Sequence, residues 1–359
     1  MFFKDFELED LYNLHESDYD FSLSTACLDP INLSSLLNLE EAFNGSFLDE
    51  ILSLPLDYSN KYGDTQLISA LAEIYGELSF LSSSGASEAI ALSMFALLKQ
   101  GDTVIIQRPI YPSLLKIPES LGCKIISWHF NWSEDFEINL DSLKKLIKAH
   151  PQTKALIINN PNNPSGYAFD KAELLDLISV IDGRYLISDE VFLDLSLKPL
   201  SPVVKLYEKG ISISDIGKSY GLQGLRIGWL VSHEKSFIEK CLGIKSYFSL
   251  RSSSLGERIS SLVLKQRAQL LAQSHQKIQS CLNRVFIKPK EIDILAARFK
   301  GSVSLDPDKF AGLTLLAKIH DHKIDELFQK LIQERIFILP GRVFGEEYSE
   351  YFRLSVIKV

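Results

Sequence analysis

Between residues 64 and 188 strand-like and helix-like segments alternate, and this constrains the fold more than any other feature of the chain. Apolar residues at Leu67, Ile68, Leu71, Ala72 and Tyr75 predict a helix over Asp64–Tyr75, stopped by Gly76. The strand candidates that follow are Thr103–Gln107, Lys124–Trp128, Ala155–Asn159 and Arg184–Ser188. The helix candidates are Ser87–Leu98, Leu140–Ala149 and Asp170–Ile181. Such alternation implies an α/β fold with a mostly parallel sheet covered by helices. Ligands of such sheets bind beyond the carboxyl ends of the strands, where Tyr111, Asn163 and Asp189 fall.

The pattern changes after about residue 235. A long helix is expected over Glu257–Gln279, then Gly312–Ala317, Lys323–Ile332, Ile336–Leu339 and Tyr351–Val356 as short strands and a helix. Residues 1–60 read as irregular. The expected organisation is an N-terminal segment (1–45) packing on the small domain, a large domain (46–240) and a smaller α+β domain (241–359). A chain of 359 residues with 46% hydrophobic content suits such a division.

The net charge of -8 argues against nucleic acid or an anionic membrane as partner, while leaving room for a local anion site. Cys27, Cys123, Cys241 and Cys281 lack metal-ligand spacing and read as reduced thiols. No apolar run approaches the ~20 residues that cross a bilayer. The start, Met1-Phe2-Phe3-Lys4-Asp5, lacks a signal pattern, so a cytoplasmic protein is expected.

Four segments could carry chemistry. Ser82-Ser83-Ser84-Gly85-Ala86-Ser87-Glu88 places small residues at a helix start, where free N–H groups and the helix dipole hold phosphate; a plain cap would look similar. Asn159-Asn160-Pro161-Asn162-Asn163-Pro164-Ser165-Gly166 is a stiff loop able to hold an Asn toward a ligand. Ile187-Ser188-Asp189-Glu190 ends an apolar strand in two carboxylates, which on their own read more readily as a helix cap or solvated loop residues. The most informative segment runs from Ser214 to Trp229. In it Lys218 sits among small residues, Arg226 follows, and glycines at 217, 221, 224 and 228 permit close backbone approach. A lysine of lowered pKa forms imines with carbonyl compounds.

Taken in order, SSSGASEAI, RPIYP, NNPNNPSG, SDEVF, GKSYGLQGLRIGW and PGRVFGEEYSEYFRLS resemble the class I/II aminotransferases of the fold-type I pyridoxal-phosphate (PLP) enzymes, from about Tyr58 to Arg353. The resemblance implies a PLP-dependent transferase fold and PLP as cofactor. It makes Lys218 the Schiff-base lysine and the carrier of a proton between substrate Cα and cofactor. It implies that Asp189 pairs with the pyridinium nitrogen, Asn163 bonds the ring hydroxyl and contributes to the substrate site, and Tyr111 stacks on the ring. Gly85, Ala86, Ser87 and Arg226 would take the phosphate. Arg353 would take the substrate α-carboxylate. Tyr58 would reach the partner subunit's phosphate, implying a homodimer with shared sites.

The chain departs from the family at Phe192, where Tyr is common, and at Asp215 and Gly217, where serines are common. Phe192 would line the cofactor without a second bond to the ring oxygen. Asp215 would repel phosphate unless it turned away or met a cation. Ile68-Ser69 replaces a Leu-Arg pair. The implied activity is amino-group transfer between an amino acid and a 2-oxo acid. Elimination, cyclisation or oxidation of an amino acid on the same fold is the alternative. A non-catalytic binding protein is disfavoured by the presence of Lys218 and Asp189. A side-chain pocket is expected from residues 15–40 and the partner subunit; Glu16, Asp18 and Asp29 there would suit a cationic side chain, but solvated loop carboxylates are the commoner case, and no specificity is legible.

Overall fold

The computed structural model describes residues 5–37, 47–130, 139–285, 292–294, 299–303, 305, 307–320 and 322–358. Its larger sheet has seven strands, in the spatial order Ser79–Ser83, Gly228–Ser232, Gly210–Asp215, Tyr185–Asp189, Thr153–Asn159, Thr103–Arg108 and Lys124–His129. Gly228–Ser232 runs antiparallel to both neighbours, and the other adjacent pairs are parallel. Ala155–Ile158 and Val104–Ile106 are fully buried, which is why these strands read as unbroken apolar runs rather than alternating ones.

The predicted elements of this region form within two residues of their expected ends. The helix starts are fixed by local chemistry. Asp64 accepts hydrogen bonds from the N–H groups of Gln66 and Leu67, and Asn139 from that of Ser142. Asp170 and Glu173 form a reciprocal capping box. Parallel register brings the strand ends level: Asn159 lies beside Asp189, and Asp189 beside Ile213, two residues short of Asp215. Three polar residues therefore gather at one edge of the sheet.

A second, antiparallel sheet has the order Leu339–Pro340, Tyr351–Ser355, Thr314–Ile319, Phe299–Val303, Ile292–Ile294. Helix Ile324–Gln333 follows the Thr314–Ile319 strand in sequence.

Three expectations need correction. The long helix over Glu257–Gln279 is two helices, Ser254–Lys265 and Arg267–Val285, separated at Gln266 (φ -104°, ψ 14°). No Gly or Pro marks the break, so the apolar spacing carries through it. Ile336–Leu339 is also divided. Ile336–Phe337 pairs in parallel with Phe21–Ser22, whereas Leu339–Pro340 joins the antiparallel sheet. The first 60 residues are not irregular throughout. They contain helix Glu7–Leu14 and the shorter helices Leu33–Leu37 and Phe47–Leu52; residues 38–46 lie outside the described residues. Among the described residues no helix is long and apolar enough to cross a membrane.

Candidate active site

A cavity of about 540 Å³ opens at the carboxyl edge of the large sheet. Its walls draw on the strand ends (Asn159, Asp189, Asp215), the loops and short helix beyond them (Asn163, Val191, Phe192, Lys218, Arg226) and a helix start (Ala86, Ser87). Arg353 enters from the second sheet.

Lys218 lies in the short helix Gly217–Tyr220 that follows Asp215. Asp215 Oδ1 accepts from the backbone N–H groups of Gly217 (2.9 Å) and Lys218 (3.0 Å), holding that turn. Asp215 therefore does not turn away. It is buried, lines the cavity and raises the Lys218 pKa through its charge. Lys218 Nζ donates to the Cys27 sulfur at 3.1 Å. Burial works to lower the Lys218 pKa, but Cys27 and Asp215 outweigh it, and the net direction is up.

Asp189 is buried, and desolvation pushes its carboxyl up to about 7. Its Oδ1 accepts one hydrogen bond, from Val191 N–H at 3.3 Å. The Asn159 and Asn160 N–H donors that hold the neighbouring loop go instead to the Asp189 backbone carbonyl. A buried carboxylate with so little support suits a cationic ring N–H.

Helix Ala86–Leu97 begins at Gly85, whose φ of 84° and ψ of 169° form a region used almost only by glycine. A Cβ there would collide with the Arg226 guanidinium. Gly228 packs so closely that its own Cβ would lie 2.5 Å from Gly85 C. Glu88 steadies the loop by accepting from Ser84 N–H at 2.6 Å, with buried Lys245 3.6 Å away. The Ala86 and Ser87 ends of this helix line the cavity together with Arg226. Helix-start N–H groups and a guanidinium make an anion cradle.

Arg353 is buried, with only neutral partners among the described residues. It donates to Ser24 O (2.7 and 3.0 Å), to Asn163 Oδ1 (3.2 Å) and to Tyr12 Oη (2.8 Å). Asn163 thereby uses its carbonyl oxygen on Arg353, while its backbone N–H donates to Asn159 Oδ1 at 2.6 Å. Phe192 is buried in the cavity wall. Tyr111 also lines the cavity; its hydroxyl donates to Glu9 Oε1 at 3.1 Å, and its ring meets Phe6 edge-on at 5.8 Å.

Of the residues singled out from sequence, Lys218, Asp189, Asn163, Tyr111, Ala86, Ser87, Phe192, Arg226 and Arg353 line this one cavity. Gly85 stands just behind it. Tyr58 is not among the lining residues and is 74% exposed. The expected side-chain wall from residues 15–40 is supplied by Thr25, Ala26 and Cys27. Asp18 instead bonds His15, and Asp29 pairs with Lys277 (2.7 Å) and Lys358 (2.9 Å), bonds that hold its carboxyl down at about 2. Sequence reasoning missed Phe6, Leu8, Glu9 and Tyr12. The spacing of Leu8, Leu11 and Tyr12 signals a helix there; nothing in the sequence aims it at the cavity.

Residues 56–358 match the family described as aminotransferase class I and II. The chain belongs to that family. This aminotransferase-family protein is 28% identical to a capreomycidine synthase of Streptomyces vinaceus, across 74% of this chain and 67% of the relative. It is 32% identical to a tyrosine aminotransferase of Dictyostelium discoideum, across 76% of this chain and 67% of the relative. It superposes on a PLP-dependent aminotransferase of Streptococcus suis 89-1591 with a TM-score of 0.87 and 25% identity, covering 99% of this chain and 94% of the other. The cofactor of this family member is pyridoxal 5'-phosphate. The cavity fits it, with an anion cradle at one side, a buried carboxylate at the back and an amine between.

Proposed function

We propose that the protein is a PLP-dependent aminotransferase that moves an amino group between an α-amino acid and a 2-oxo acid. The observation that carries this reading is buried Arg353, a guanidinium with no carboxylate partner among the described residues, in the same cavity as Lys218. A carboxylate shared by all α-amino acids and 2-oxo acids is the partner that would satisfy it.

When bound, PLP supplies an electron sink for bond breaking at the substrate α-carbon. Asp189 keeps the ring nitrogen protonated. Tyr111 and Phe192 would confine the ring, and the Asn163 amide would bond its hydroxyl. Arg226 and the N–H groups of Ala86 and Ser87 hold the phosphate beside Gly85. The Lys218 amine would hold the cofactor and, with substrate bound, would carry a proton to and from the substrate α-carbon. Asp215 holds the lysine-bearing turn.

The same reading divides the chain into an N-terminal segment (1–45), a large domain (46–240) and a small domain (241–359). Pairing of Phe21–Ser22 with Ile336–Phe337 supports placing the first on the third. It also makes the protein a homodimer, with Tyr58 reaching the partner's phosphate. The apolar side chains exposed at Leu56, Tyr58, Tyr247 and Phe248 support that assembly.

The test is incubation of PLP-loaded protein with an amino-acid panel, with and without 2-oxo acids. Recovery of the cofactor in its amine form, and its return on adding a 2-oxo acid, is expected. Ammonia release without the amine form would overturn transfer. It would favour elimination, whereas a new product with neither ammonia nor the amine form would favour cyclisation, the reaction named for a structurally similar PLP-dependent cyclase.

A further inference from the structure

Three carboxylates and three cationic side chains line the cavity: Glu9, Asp189 and Asp215, with Lys218, Arg226 and Arg353. In the proposed function, Arg226 answers the cofactor phosphate, Arg353 the substrate α-carboxylate and Asp189 the ring nitrogen. Asp215 is committed to the Gly217 and Lys218 backbone N–H groups. Glu9 is left over. Among the described residues it makes no ion pair; its one hydrogen bond is from the Tyr111 hydroxyl to Oε1. Its helix neighbour Glu7, by contrast, is paired with Arg342.

The position of Glu9 follows from helix Glu7–Leu14. Leu8 is buried, anchoring the helix, and Tyr12 accepts from Arg353 Nη2 at 2.8 Å. Glu9 precedes Tyr12 by three residues, so the two share a face about 4.5 Å apart along the axis. One turn of helix thus bears a partner of Arg353 and, one step along, an acid with no ion pair among the described residues.

We propose that Glu9 sets substrate choice, selecting an α-amino acid whose side chain ends in a guanidinium or a primary ammonium. This rests on the proposed binding of the α-carboxylate at Arg353. Within a partly enclosed cavity a side-chain cation gains from Glu9 what a neutral isostere cannot, and an acidic side chain is repelled.

The test uses PLP-loaded protein and near-isosteric pairs, L-arginine against L-citrulline and L-lysine against L-norleucine. Binding is read from the absorbance of the bound cofactor. Wild type is expected to prefer each cation at least tenfold. In Glu9→Gln, which retains an acceptor for Tyr111, the ratio should fall to about one. Equal affinities in wild type, or a ratio that survives in Glu9→Gln, would overturn this inference alone. A bound cofactor that responds to no α-amino acid would overturn the proposed function and this inference together.

Discussion

Asp189 ties the electrostatics of the site to the stability of the protein. An ordinary Asp carboxyl titrates near 4, whereas burial lifts this one to about 7. Between those values the native chain holds a proton that the unfolded chain has released. Unfolding free energy therefore falls as pH rises through that window, by a few kcal/mol in protein stripped of PLP. Asp189→Asn removes the ionisation while keeping the shape. Stripped of PLP, the variant should be more stable than wild type at pH above 7, with the advantage fading toward pH 4. Urea unfolding at several pH values reads this directly, and an advantage independent of pH would contradict it. Asp189 could be singled out in the sequence because the ordered family motifs include SDEVF; the strand-end carboxylate alone reads as a cap or a solvated residue. Glu9 could not, since its significance lies in a contact with Tyr111 across 102 residues.

At the scale of elements, the proposed phosphate cradle depends on how helix Ala86–Leu97 begins. Gly85 and Gly76 share nearly the same backbone conformation, at φ 84°, ψ 169° and φ 91°, ψ 179°. An added Cβ meets Arg226 at Gly85 and nothing within 4 Å at Gly76. Alanine at either position should cost roughly 1–3 kcal/mol of stability through backbone strain. Only Gly85→Ala should also weaken PLP binding, by tenfold or more in equilibrium titration. Equal PLP affinity in the two variants would remove the cradle from this helix start. The strand ends and this helix start could be read from sequence because turn residues and caps punctuate them. The break at Gln266 could not, because the residue carries no turn chemistry and only the surrounding packing decides where one helix stops.

At the scale of the molecule, the cavity is assembled from parts far apart in the chain. Arg353 on the antiparallel sheet bonds Asn163 in the loop beyond the large one, and also Ser24 and Tyr12 of the first 30 residues. The α/β class and its mostly parallel sheet follow from periodicity, which records burial. The N-terminal wall of the cavity does not, because an eight-residue helix shows its partners only once folded. The assembly reading has its own check: the exposed apolar side chains at Tyr58 and Tyr247 (74% and 90% exposed) should be covered in a dimer. Sedimentation should show a dimer that Tyr247→Lys with Phe248→Lys dissociates; a wild-type monomer at micromolar concentration would contradict it. The central claim is that these scattered segments build one PLP site around Lys218. Borohydride reduction of the PLP-loaded protein followed by peptide mass spectrometry tests it most directly. One reduced cofactor per chain, on the peptide containing Lys218 and absent in Lys218→Ala, is the predicted result. A stoichiometric adduct on another lysine, or one that persists in Lys218→Ala, would contradict it.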